Sequence, residues 1–349
     1  MINLRNIDSK IKFLFLSFLL LILVIFSMFI GPVRVSMYDI GATLYNETFG
    51  LFLDPFKVPE KDFVIVYYLR EPEILAALVV GSALGIGGAV VQSIFRNPIT
   101  EPYIIGVSSG AALGAVASIG YSITFLGFYS TQIFAFLFAL IIVFIIYGIS
   151  SRRGRVPVTY FLLIGISISL FVSSLVAYVL ITNVKLEGEE VILSWLLGSL
   201  QAITWKELTV VFFIVLVTSL VSMLNYRELD TMQMGEDFAR SVGVNVERTK
   251  KVSIVAVALG VSAVVSISGL IGFVGLIVPH VGRLLFGGSN RYVIPASALI
   301  GSIFLLCAND LSTMIISQEV VPVGIITAFV GVPVFIYLLH KLAVGSYES

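Results

Sequence analysis

The chain has 349 residues, with 21 lysines and arginines balancing 21 aspartates and glutamates, so nothing in its charge points to nucleic acid or another polyanion as a partner. Apolar residues make up 58% and charged residues 12%, whereas soluble domains are about 45–50% apolar even with glycine counted; this composition excludes a water-soluble globule and makes lipid the solvent. The single cysteine, Cys307, excludes an intrachain disulfide, and two histidines without an H-E-x-x-H pattern leave no dedicated zinc site.

Lys10 and Lys12 precede an uncharged apolar run from Phe13 to Ile30. The run exceeds the roughly 7–15 residues of a signal-peptide core, and Gly31-Pro32-Val33 is not a cleavage site, so a first membrane helix is expected. Residues 31–70 hold Pro32, Pro55 and Pro59 with mixed charge and read as an external surface segment, too polar to insert. Further apolar stretches fall near 74–95, 103–126, 130–150, 158–182, 191–204, 208–225, 252–268, 270–286, 293–309 and 323–340. The stretch at 191–204 is short and interrupted by Gly198, Ser199 and Gln201, which predicts an interfacial segment. At about 20 residues per crossing, ten crossings remain: an all-α, polytopic membrane protein forming one domain over 1–349. Residues 226–251 carry the densest charge and read as an internal segment. Residues 252–286 supply only ~52 Å of helix, less than two crossings of ~30 Å. One member of that pair, with Pro279 inside the second, is therefore short, tilted or broken.

With the N-terminus inside, ten crossings place fifteen basic residues inside, among them Arg5, Arg96, Arg152, Arg153, Arg240 and Lys250. Six fall outside: Arg34, Lys57, Lys61, Arg70, Lys185 and Lys206. That asymmetry is the positive-inside bias, and it places both termini in the cytoplasm of a cell whose cytoplasmic membrane holds the chain. Trp195 and Trp205 then fall at the outer interface.

No G-x-x-x-x-G-K-[ST] occurs, so this chain does not cradle ATP. Carboxylates avoid the span centres: Asp310 is expected at a helix end and Glu101 in the Arg96–Tyr103 connection. An ion-coupled secondary transporter, the first alternative, usually keeps ionisable groups at membrane depth. Gly106-Val107-Ser108-Ser109-Gly110 matches G-x-S-x-G, and an intramembrane serine protease with Ser108 as nucleophile and His280 as base is the second alternative. The nucleophile elbow needs a strand-to-helix turn, whereas this copy opens a membrane helix. Ordinary packing explains it more simply, and a hydrogen-bonded structural role explains His280. Small residues recur at helical spacing in Gly81, Gly85 and Gly88, in Gly110 and Gly114, and in Gly269, Gly272 and Gly275. They allow close helix approach in lipid or line a moving path.

Three segments then argue together: Arg96-Asn97-Pro98-Ile99-Thr100-Glu101-Pro102 leading into Gly106–Ala111, Gly235-Glu236-Asp237-Phe238-Ala239-Arg240-Ser241-Val242-Gly243-Val244, and Gly272–Arg283. With Pro322–Ala328 and Gly331–Phe335, they resemble, in family order over about 70–340, the FecCD-type (BtuC-like, type II) permeases of binding-protein-dependent ABC importers. The resemblance implies ten helices per subunit and two permease copies, expected to be identical, around one path. It implies two ATP-binding subunits inside and a substrate-binding protein outside. The chain is then no enzyme and holds no cofactor; ATP and Mg belong to the ATP-binding partner. The implied cargo is an iron-siderophore, haem or cobalamin, with molybdate or tungstate in some members.

Gly235, Glu236, Phe238, Ala239, Arg240 and Gly243 match the family's coupling segment. Glu236 and Asp237 near a helix start and Arg240 beyond suit the helix dipole, while Phe238, Val242 and Val244 give an apolar side. Arg96, Asn97 and Pro98 are expected at the inner mouth or the ATPase contact. Many members carry R-x-P-R before the second helix; here Arg70-Glu71-Pro72-Glu73 keeps only the first arginine. Docking of the binding protein through Arg70 and Glu73 thus implies rewired charges. The stretch 310–322 also lacks an arginine some members use, although Glu319 is present.

Overall fold

The computed structural model describes residues 8–49, 56–125, 127–151, 155–183, 186–315 and 321–347. Arg5, Arg152, Arg153, Lys185 and Glu319 lie outside the described residues. Helices α1 (Ser9–Ser27) and α2 (Met37–Phe49) lead into a continuous helix, Glu60–Phe95. Within it α3 (Glu60–Phe63), a π-helical stretch (Val64–Arg70) and α4 (Glu71–Phe95) follow without a break. Next come α5 (Val107–Gly120), α6 (Ser130–Ser150), α7 (Val158–Asn183), α8 (Leu186–Leu197) and α9 (Trp205–Leu224). Two short polar helices, α10 (Tyr226–Gln233) and α11 (Glu236–Ser241), precede α12 (Val246–Ser268), α13 (Val274–Phe286), α14 (Asn290–Ile315) and α15 (Val323–Tyr347). No strand occurs among the described residues.

Local chemistry sets several boundaries. Thr204 and Glu207 form a reciprocal capping box at the start of α9, satisfying two otherwise orphaned amides. The Asn245 side chain accepts the Arg248 amide at the start of α12. Gly269, at φ +67°, ends α12 in a conformation that suits a residue without Cβ.

Among the described residues, seven helices are long and apolar enough to cross a membrane, and three shorter apolar ones (Val107–Gly120, Val274–Phe286 and Val323–Tyr337) join them. The short, broken member expected within 252–286 is α13, which follows the 269–273 interruption. Two expectations need correction. The segment 31–70 is not surface structure throughout, because its last residues are helical and continuous with α4. Its last charge is absorbed: the Arg70 guanidinium donates to the Met28 carbonyl at 2.6 Å and to that of Val33. Asp310 is not at a helix end; it lies inside α14, buried, and accepts the Ser27 hydroxyl at 2.6 Å. Residues 191–204, expected as an interfacial segment, form the end of helix α8 and a turn before α9.

The centre of the bundle is α4, flanked by α14, α13, α12 and α9. A Cβ at Gly85 would strike the Ser297 carbonyl oxygen on α14, and one at Gly88 would strike that of Gly275 on α13. Such approach lets dispersion forces bind helices where lipid supplies no hydrophobic drive. The bundle has two distinct ends. At one, Lys12 donates to the Leu285 carbonyl at 2.7 Å, Asp230 caps α14 through the Asn290 amide at 2.6 Å, and α10 and α11 sit alongside. At the other lie Arg70 with Met28, Asp310 with Ser27, and Trp205, whose indole donates to the Tyr67 carbonyl at 2.8 Å.

Candidate functional site

The charged end is built on α11. Gly235 enters it at φ +123° and Gly243 leaves it at φ +90°. Both conformations favour glycine, so the helix is cut to Glu236–Ser241, six residues. Acidic Glu236 and Asp237 occupy its first turn and Arg240 its last, the arrangement that complements the helix dipole.

One face of α11 is anchored. Ala239 is fully buried and packs in a small cluster with Met232 and Val246, with Val244 against it. Exposed apolar side chains flank it: Phe238 on the helix itself, Met234 at the end of α10 before it and Val242 just after it.

A charged latch ties the anchored side to α12. Arg240 reaches Glu236 and Glu247, each at 3.1 Å, and Asp237 at 3.3 Å. Lys250, only 1% exposed, places its ammonium 2.7 Å from Glu236 and 3.8 Å from Glu247. Its Nζ also donates to the Val156 carbonyl at 2.9 Å, and Glu247 accepts the Val156 amide at 3.0 Å. Val156 lies in the connection that opens α7, so three chain segments converge on one buried cation. The sequence marked Glu236 and Arg240; it gave no warning of Lys250 and Glu247, whose burial depends on a carbonyl far away in the chain.

Arg96 caps α4 in a left-handed conformation, φ +51° and ψ +37°. Asn97 accepts the Ile99 amide at 3.1 Å and, with Pro98, forms the turn that follows. All three line a pocket of about 220 Å³ shared with Gln92, Gln233 and Arg283. Deeper in, Glu101 accepts the Phe273 amide at 2.8 Å, and the Tyr103 hydroxyl bonds both the amide and the carbonyl of Ile271, each at 3.0 Å. The 96–106 connection therefore pins the break between α12 and α13.

At the other end, Arg70 and Glu73 are turned inward. Arg70 is 6% exposed and committed to backbone carbonyls, and Glu73 accepts the Asn309 amide at 2.9 Å. They order the surface around Met28–Val33 and α14 instead of standing free on it. Gly106, Ser108 and Gly110 offer no nucleophile elbow, because a 3₁₀ turn, Pro102–Ile105, and not a strand leads into α5. A Cβ at Gly110 would lie 2.7 Å from the backbone of Ala139, so the glycine serves α5–α6 packing.

Known proteins resemble this chain along most of its length. The FecCD transport family profile matches residues 19–341. A cobalamin import system permease protein from Halobacterium salinarum is 39% identical over 82% of this chain and 76% of its own length. A molybdate import system permease protein from Haemophilus influenzae is 33% identical over 98% of this chain and 99% of its own. A solved structure described as the inward-facing conformation of a metal-chelate type ABC transporter superposes with a TM-score of 0.83 at 28% identity, covering 96% of this chain and all of that one.

Proposed function

The chain belongs to the FecCD transport family and is the permease subunit of an ABC importer, and we propose that it carries a bulky metal chelate of the iron-siderophore, haem or cobalamin class. ATP hydrolysis belongs to a separate subunit, and this chain is not the catalytic one. The observation that carries the cargo reading is the face of α7 that the chain leaves uncovered. Ser167, Ser173 and Ser174 are exposed there among Leu163, Leu170 and Phe171. Ser167 and Ser174 already bond carbonyls of their own helix, at 2.8 and 3.1 Å. Such hydroxyls contact a ligand weakly, and no charge on the stripe holds a small ion. A second copy of the chain facing this stripe encloses a path that grips a large chelate loosely enough to release it.

In this reading the α11 end is cytoplasmic, both termini lie there, and the exposed side chains of Met234, Phe238 and Val242 seat in a groove of the ATP-binding subunit. The Glu236–Lys250–Val156 latch then passes displacement of α11 to α12 and to the start of α7. At the external end a substrate-binding protein docks on a surface that Arg70 and Glu73 shape from beneath.

The test is uptake into proteoliposomes holding the permease, its ATP-binding subunit and its binding protein. ATP-dependent accumulation of a ferric siderophore, hemin or cobalamin is expected. Accumulation of molybdate alone would overturn the cargo class, and uptake that persists without ATP would overturn the importer.

A further inference from the structure

The acidic residues of the charged end are almost all engaged within the chain. Asp230 caps α14, and Glu236, Asp237 and Glu247 serve Arg240 and Lys250. Among the described residues several guanidiniums lack a carboxylate, Arg227, Arg248 and Arg291 included, but Arg96 and Arg283 share one pocket, that of 220 Å³. Gln92, 3% exposed, donates its amide to the Gly275 and Leu276 carbonyls at 3.3 and 3.1 Å, which aims its own oxygen at Arg283 Nη1. A neutral amide thus orients the half-buried cation without neutralising it. Gln233, bonded to Ser93 at 3.1 Å, and Asn97 add neutral polar groups and no negative charge. Arg96 holds a left-handed cap position where glycine is usual, a cost accepted for a side chain glycine lacks. The pocket adjoins α11: a Cβ on Gly235 would lie 3.9 Å from Arg96 Nη1.

We propose that this pocket receives a carboxylate side chain of the ATP-binding subunit, clasped between Arg96 and Arg283 as α11 docks. A planar guanidinium fork suits a carboxylate, and the described residues lining the pocket supply none. The inference rests on the reading of this end as the face that meets the ATP-binding subunit.

The experiment measures binding of the cognate ATP-binding subunit to the full-length permease in nanodiscs at several salt concentrations. Arg96→Gln and Arg283→Gln are each expected to weaken binding about tenfold at low salt and to flatten its salt dependence. Arg283→Lys should fall between. Arg283→Glu should be rescued by an acidic-to-Arg change at one position of the partner. Gln variants that keep their helicity and melting temperature yet bind as tightly as wild type would overturn the proposal. So would loss of phosphatidylglycerol or inorganic phosphate binding with subunit affinity untouched, which would mark a headgroup or free-anion site. Arg96→Gln, at the surface, keeps the test decisive if Arg283→Gln fails to fold. Should the wild-type chain bind no ATP-binding subunit, the importer reading itself falls, an outcome separable from indifference of the variants alone.

Discussion

Lys250 on α12 and Glu236 on α11 meet at 2.7 Å, with the lysine almost wholly buried and the glutamate partly open to solvent. The ammonium also holds the Val156 carbonyl, so neither partner can move without the other or without the chain that begins α7.

Removing one side of this pair strands the other. Lys250→Met should cost about 2 kcal/mol of stability, below the ~3–5 kcal/mol of a fully buried pair because Glu236 keeps some solvent. Glu236→Gln should cost less, and the double variant less than the sum, with a coupling on the order of 1 kcal/mol. Thermal unfolding in detergent and ATP consumed per substrate imported, measured for all three variants, check this. Strictly additive costs and an unchanged ratio would leave the latch without a role.

Close approach predicts a contrast between two glycines. Gly88→Leu drives a side chain into the Gly275 backbone, which cannot rotate aside, so a loss of roughly 3 kcal/mol or failure to fold is expected. Gly41→Ala, in α2 with nothing near its Cβ position, should be neutral or stabilising by about 0.5 kcal/mol. Melting temperatures in one detergent decide it; equal effects would mean the α4–α13 contact is looser than described.

Arg70 orders the chain between α1 and α2. Arg70→Leu frees the Met28 and Val33 carbonyls, and each lost charge-assisted bond is worth about 1.5–3 kcal/mol. Amide exchange over residues 28–36 should accelerate more than exchange in α14. Unchanged exchange there, with weaker docking of the binding protein, would show instead that Arg70 makes the contact directly.

Ser108→Ala should leave ATP-driven uptake within about twofold of wild type, the usual range for a substitution that breaks no specific contact. Complete loss of uptake in a folded variant would reopen a chemical role for that hydroxyl.

Hydropathy made the ten apolar helices legible, and the arithmetic of 252–286 exposed the short α13, because bilayer thickness converts length into topology. The start of the long helix was hidden: Glu60, Lys61, Asp62 and Arg70 read as loop until Arg70 is seen bonding backbone carbonyls and the Tyr67 ring packing against that of Trp205. Asp310 read as terminal for the same reason, since a partner hydroxyl on α1 is invisible in a local window. The α11 boundaries followed from Gly235 and Gly243, and the exposure of Phe238 and Val242 from the pattern between and around them, whereas Val244 turns instead to the buried cluster of Met232, Ala239 and Val246. Lys250 was legible only as a positive charge, and Arg283 only as the end of the Gly272–Arg283 segment and a further charge, because whether a cation is latched, aimed or merely solvated is decided by distant segments.

The helix Glu60–Phe95 has 36 residues, ~54 Å at the rise of an α-helix, against ~30 Å of hydrocarbon. It therefore overshoots the bilayer as a stiff strut. A load applied at its Glu60 tip travels down a single hydrogen-bonded column to Gly85 and Gly88, where it bears directly on α14 and α13, with no loop between to absorb the stroke.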